Sequence, residues 1–191
     1  YQILATADRG GIFLENLQLK SLQGDANIAG WFEQFGVLST QKENGVFLKK
    51  NENITPKCLK LHFIENPDVA QTMACLWVSK QIAFHFSGLK TLKIKETNRI
   101  AALQNELIKF GAELTEPENG KLEWNGKINP TLKKDKPIIK TYHDHRMALA
   151  FAPMALDGNI LQIENPLVVT KSYPGFWEDL KKTGFEIARL S

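Results

Sequence analysis

Three short stretches of this chain combine residue types that handle anions and protons. The first is Lys93-Ile94-Lys95-Glu96-Thr97-Asn98-Arg99. Lys95 and Arg99 are four residues apart, so a helix starting here would carry both on one face, with Glu96 beside them. Two cations at a helix N-terminus oppose the macrodipole and cost some helix stability. Such a cost points to use, most simply the binding of a phosphate or carboxylate; a solvated, charged first turn is the plainer alternative. The second stretch is Thr141-Tyr142-His143-Asp144-His145-Arg146-Met147. One option there is a zinc site, although the chain has only four histidines and no HExxH pattern. The other is that Asp144 caps a helix whose start presents His145 and Arg146. The third is Thr170-Lys171-Ser172-Tyr173-Pro174, which places Lys171 at an expected strand-to-helix junction; a surface lysine is the plain reading. Asp25 in Gln23-Gly24-Asp25, and Asp68 after Pro67, both read as N-caps.

The elements that must position these residues show as an internal repeat. Gly36-Val37-Leu38-Ser39-Thr40 with Glu43-Asn44-Gly45 returns 75 residues later as Gly111-Ala112-Glu113-Leu114-Thr115 with Glu118-Asn119-Gly120. A third copy begins 73 residues further on, at Gly184. Each unit reads as strand, helix, hairpin, helix. Ile82 to Phe86 is β-branched and aromatic, hence a strand. Thr97 to Phe110 spaces Ile100, Leu103, Leu107 and Phe110 as one apolar helical stripe, stopped by Gly111. Asn119-Gly120 marks a hairpin turn. His145 to Leu156 reads as an apolar, fully buried helix that Pro153 should kink. Tyr1 to Gly11 reads as the end of a helix stopped by a glycine pair, so the chain is expected to be a fragment of a longer protein. One domain, residues 1–191, is expected.

Composition narrows the classes further. With 43% hydrophobic and 24% charged residues, the chain can bury about 70% of its unfolded surface in a real core. Its longest apolar run, Met147 to Leu156, is too short to cross a bilayer. A net charge of +3 is too small to argue for nucleic acid by itself. Cys58 and Cys75 have no metal-ligand or redox spacing and read as core thiols of a reducing, cytoplasmic compartment. GxGxxG, Walker A, GxSxG and paired CxxC patterns are absent, which argues against nucleotide cofactors, serine-hydrolase chemistry and structural zinc.

Taken together and in order, Gln23-Gly24-Asp25, Pro67-Asp68, Lys95-Glu96-Thr97-Asn98-Arg99, Asp144-His145-Arg146-Met147-Ala148 and Lys171-Ser172-Tyr173-Pro174 resemble the C-terminal part of the 3-phosphoshikimate 1-carboxyvinyltransferase (EPSP synthase) family. The resemblance runs from Tyr1 to Ile187, with Asn98 where the family usually has Asp. It implies a mixed α/β (α+β) fold of repeated βαβαββ units around inward-facing helices, as one domain of a two-domain enzyme. It also implies transfer of the enolpyruvyl group of phosphoenolpyruvate to the 5-hydroxyl of shikimate 3-phosphate, through a tetrahedral intermediate and without metal or other cofactor. Under it, Arg99, Arg146 and Lys171 would clamp phosphoenolpyruvate, and Lys95 and Asp68 would contact shikimate 3-phosphate. Asp68 would serve the 5-hydroxyl as base, Glu96 would exchange a proton with the methylene carbon, and His145 would orient Glu96. The expected partner is the missing N-terminal domain of the same enzyme, with neither nucleic acid nor membrane involved, and the isolated piece should be inactive. Two other readings differ in kind. The sister family acting on UDP-N-acetylglucosamine departs at Lys95-Glu96-Thr97 and His145-Arg146. A non-catalytic anion- or RNA-binding module would need aromatics interleaved on a basic face.

Overall fold

Three successive units build the molecule, each wrapped around one inner helix. The computed structural model describes residues 1–20, 28–52, 54 and 56–189; Gln23-Gly24-Asp25 lies outside them. The first unit runs α1 (Gln2–Thr6), β1 (Gly10–Glu15), α2 (Ile28–Glu33), β2 (Val37–Lys42) and β3 (Gly45–Lys50). The second runs β4 (Cys58–His62), α3 (Ala70–Ser79), β5 (Ala83–Ser87), α4 (Arg99–Leu107) and β6 (Leu122–Trp124). The third runs β7 (Ile138–Ile139), α5 (His145–Phe151), β8 (Gln162–Ile163) and α6 (Phe176–Lys182).

The sheets show the same plan. β4 and β5 pair in parallel across α3, and β7 and β8 pair in parallel across α5, as a crossover helix requires. In the first unit β3 pairs antiparallel with both β1 and β2. In the second, β6 pairs antiparallel with β5, and Thr115 bridges Glu123 on its other side. The β1–β3–β2 order is thus repeated as β5, β6 and the Thr115 segment. The second hairpin has shrunk to that single bridge, so the strand expected over Glu113–Thr115 does not form. Pro117 has no N–H to give a ladder, and the Glu116 carboxylate takes the Gly120 amide at 2.9 Å instead.

Helices α1, α3 and α5 meet at the centre. α3 is buried on nearly all sides, from Ala70 and Gln71 through Met73 to Val78. α5 buries Met147, Ala148, Ala150 and Phe151. The Gln2 amide donates to the Ala150 carbonyl at 3.1 Å, tying the first unit to the third. One apolar core draws on all three units, and a smaller cluster of Ala148, Ala152, Val169, Phe176 and Leu180 seats α6 beneath α5.

Several element ends differ from the sequence reading. α1 stops at Thr6, where Lys50 and Lys80 donate to the Ala5 and Thr6 carbonyls, so ammonium groups end it and the Gly10-Gly11 pair belongs to β1. α4 starts at Arg99, because the Asn98 side chain accepts the Ala101 amide as an N-cap; the helix then tightens to a 3₁₀ turn over Ile108–Phe110 before left-handed Gly111. α5 likewise gives way to a 3₁₀ segment, Ala152–Asp157, at the residue before Pro153, whose ring cannot supply an amide donor. Lys171 closes a 3₁₀ segment, Pro166–Lys171, and does not follow a strand. After Gly184 no third hairpin forms over residues 185–189. Of the two cysteines only Cys75, on α3, lies in the core; Cys58, the first residue of β4, is exposed.

Candidate functional site

Asp68 is not an N-cap. It sits inside the 3₁₀ turn Pro67–Val69 that leads into α3, and its carboxylate faces three cations. Arg99 Nη1 donates to Asp68 Oδ1 at 2.6 Å, Lys95 Nζ lies 3.5 Å from the same oxygen, and Arg146 Nη2 lies 3.3 Å from Oδ2. Arg146 Nη1 also donates to the Asp68 backbone carbonyl at 3.2 Å. Burial alone would push the Asp68 carboxyl up; Arg146, Arg99 and Lys95 together outweigh it and hold the group below its ordinary value.

The centre of the arrangement is Arg99, the first residue of α4, with 1% of its side chain exposed. Its Nε donates to Asp144 Oδ2 at 2.6 Å and its Nη2 to Asp144 Oδ1 at 3.2 Å, a two-point grip. Nη2 also reaches Glu96 Oε2 at 2.6 Å. A buried guanidinium is tolerated only when its donors are met, and here three carboxylates meet them. Asp144 is fully buried and does double work, since Oδ1 also accepts the Arg146 amide at 2.9 Å and caps α5. The cap was legible in the sequence; the grip on Arg99 across 45 residues was not, and a buried arginine offers no signal of which acid holds it.

Glu96 is half exposed. A hydrogen bond from its own backbone amide, then the charges of Arg99 and His145, hold its carboxyl below the usual range against burial and Asp68. Both environments therefore favour the ionised carboxylate at Asp68 and at Glu96. His145 is mostly buried, with Nδ1 4.0 Å from Asp144 Oδ1.

Of the expected site residues, the structure joins Asp68, Lys95, Glu96, Arg99 and Arg146 in one ion-pair network and seats His145 against it. Lys171 is exposed and, among the described residues, pairs with no carboxylate; its 3₁₀ segment packs on α5. No three His, Cys, Asp or Glu side chains among the described residues are arranged to hold a metal ion, and no helix among them is long and apolar enough to cross a membrane.

Comparison with known proteins bears on the family and the fold. The family model for EPSP synthase (3-phosphoshikimate 1-carboxyvinyltransferase) matches residues 1–180. A 3-phosphoshikimate 1-carboxyvinyltransferase of Bacteroides fragilis is 43% identical over 98% of this chain, and one of Buchnera aphidicola is 34% identical over 94%. The chain spans 45% and 40% of the lengths of those two relatives. Among solved structures, EPSP synthase from Acinetobacter baumannii superposes with a TM-score of 0.72 at 19% identity, covering 98% of this chain and 45% of that one. The enolpyruvyl transferase NikO from Streptomyces tendae gives 0.68 at 14% identity, covering 97% and 42%. At those identities the likeness is one of fold.

Proposed function

The chain belongs to the EPSP synthase family, and from that premise we propose that it is one domain of a two-domain enzyme that moves the enolpyruvyl group of phosphoenolpyruvate to the 5-hydroxyl of shikimate 3-phosphate, releasing phosphate. The observation that carries the reading is the network around Arg99, in which residues from two units bring cations and ionised carboxylates to one place.

The chemistry of the substrates explains the mixture. Phosphoenolpyruvate carries a phosphate and a carboxylate, and Arg146, partly exposed, and Lys171, exposed, are the cations assigned to meet them. Arg99 is the buried centre of the network with four of its five N–H donors engaged, so it acts on the substrate anion through its charge and by holding Asp68 and Glu96 in place. Lys95 contacts shikimate 3-phosphate near the reacting hydroxyl. Asp68, kept ionised by its cations, accepts the proton of the 5-hydroxyl as the oxygen adds to the substituted enol carbon. Glu96, protonated from solvent and oriented by His145, delivers its proton to the methylene carbon. As phosphate leaves the tetrahedral intermediate, a methyl proton returns to Glu96 and regenerates the enol ether, and the proton held by Asp68 departs with the phosphate. None of these steps calls on a metal or other cofactor. The remaining substrate contacts come from the partner domain, and free Cys58 and Cys75 support a reducing, cytoplasmic setting.

The test is a titration of the 191-residue chain with inorganic phosphate and with phosphoenolpyruvate, followed by NMR. Half a site should bind in the millimolar range, about −4 kcal/mol, with shifts centred on Lys95, Arg146 and Lys171. Shifts located elsewhere, or none at high concentration, would overturn the assignment.

A further inference from the structure

Two left-handed residues stand directly before the site. Tyr142 (φ 53) and His143 (φ 58) precede Asp144, His145 and Arg146. Each non-glycine residue in that region costs about 1–2 kcal/mol, and such backbone persists only where its surroundings impose it. What imposes it is Glu106, seven residues after Arg99 and so on the same face of α4. Glu106 is a carboxylate with 1% exposure. Its Oε1 accepts the Tyr142 hydroxyl at 2.8 Å, and its Oε2 accepts the Lys140 amide at 2.9 Å. Lys109, which pairs with Glu106, also donates to the Ile138 carbonyl at 2.7 Å. Burial, with the hydrogen bond to Glu106 and its charge, pushes the Tyr142 hydroxyl up to about 12, so it remains a donor throughout the neutral range.

We propose that Glu106 is a positioning residue for the His145–Arg146 arm: with Arg99 it forms the second of two anchors by which α4 holds the strained Tyr142–His143 turn and so aims the residues that follow. The Arg99–Asp144 pair fixes one end of the turn, and the Glu106 bonds to Tyr142 and Lys140 fix the other. Removing either bond lets the turn relax toward ordinary backbone, and Arg146 moves away from Asp68. The functional clause rests on the reading of Asp68 and Arg146 as site residues; the structural clause stands apart from it.

The experiment compares Glu106→Gln and Tyr142→Phe with the unaltered chain by amide hydrogen exchange and the phosphate titration. The Asp144 and Arg146 amides donate to the Thr141 carbonyl and to Asp144 Oδ1, and they report the turn directly. The Ala102 and Lys80 amides, which donate within α4 and at the end of α3, serve as references. Loss of one hydrogen bond to a charged group should lower protection at Asp144 and Arg146 at least about tenfold, with the references unchanged. Phosphate-induced shifts at Arg146 should weaken in step. In the two-domain enzyme the same variants should lower kcat about tenfold and leave KM for shikimate 3-phosphate unchanged, because Lys95 lies outside the turn. Equal loss of protection at all four amides would make Glu106 an ordinary core acid and overturn the inference, as would no loss at any. Tyr142→Phe, nearly isosteric, decides the matter should Glu106→Gln fail to fold. The exchange pattern tests the positioning whether or not phosphate binds, and phosphate binding to the unaltered chain tests the function.

Discussion

At the scale of single residues, Asp68, Glu96 and Asp144 oppose Lys95, Arg99 and Arg146, three charges of each sign in one network. Removing one partner of such a network strands the others. For Asp68 the consequence depends on pH, and its sign follows from the depressed folded value. The unfolded carboxyl titrates near about 3.9, and stability from its ionisation is fully present above that value and is lost as pH falls through the lower folded one. Asp68→Asn should therefore unfold at a lower urea concentration than the unaltered chain at pH 7, with the gap closing as pH falls below about 3.9 and through the lower folded value. Urea midpoints across that range check it; a gap independent of pH would mean that Asp68 contributes by shape and not by charge. Much at this scale was legible. Lys95, Glu96, Arg99, Asp144 and Arg146 announce themselves by type and spacing. Two things were hidden: that Arg99 would be swallowed by its own carboxylates, and that Glu106 would matter at all. In sequence Glu106 is one more acid in a helix, and only the fold reveals what lies against it.

At the scale of elements, the repeat carried the plan, and glycine shows why. Gly36 and Gly111 stand at equivalent turns, left-handed at φ 70 and 86, and each accepts the amide of an asparagine beyond the turn, Asn51 or Asn129, at 2.8 Å. A Cβ on Gly36 would lie 1.9 Å from the Glu52 carbonyl oxygen, whereas at Gly158, left-handed at φ 76, nothing lies within 4 Å. Gly158→Ala should cost about 1–2 kcal/mol from backbone strain alone. Gly36→Ala should cost at least twice as much, because backbone must move as well. Equal losses in urea unfolding would show that the close approach is relieved without penalty. What misled the sequence reading were ends and edges. Apolar spacing locates a helix face but not the residue where hydrogen bonding changes from α to 3₁₀, as it does at Ile108 and Ala152. The Asn119-Gly120 signal was sound, yet Pro117 and Glu116 beside it removed the ladder it would have opened.

At the scale of the whole molecule, the site belongs to no single unit. In the ion-pair network, Asp68, Lys95, Glu96 and Arg99 come from the second, and Asp144 and Arg146 from the third, with His145 seated beside them. The chain spans 45% of its Bacteroides fragilis relative, so a cleft between two domains would be present here only as one wall. The 191-residue chain should accordingly show no measurable enolpyruvyl transfer, and supplying the remaining half in cis or in trans should restore it. Release of phosphate from phosphoenolpyruvate and shikimate 3-phosphate is the assay, and sustained turnover by this chain alone would sink the proposal. Which elements would be neighbours followed from the repeat; which carboxylate would meet which cation across units did not, because the contacts lie too far apart in sequence for any local pattern to encode.

The bond from Gln2 to the carbonyl of Ala150 fixes an order of events during synthesis. At roughly 5–20 residues per second, a ribosome needs about 7–30 s to travel from one to the other, with further delay while the nascent chain clears the tunnel. For that interval the apolar face of the first helix has no third-unit helix to lie against. Once made, α3 covers part of that face, and the part that meets the third unit stays uncovered until the last inner helix emerges and closes the core.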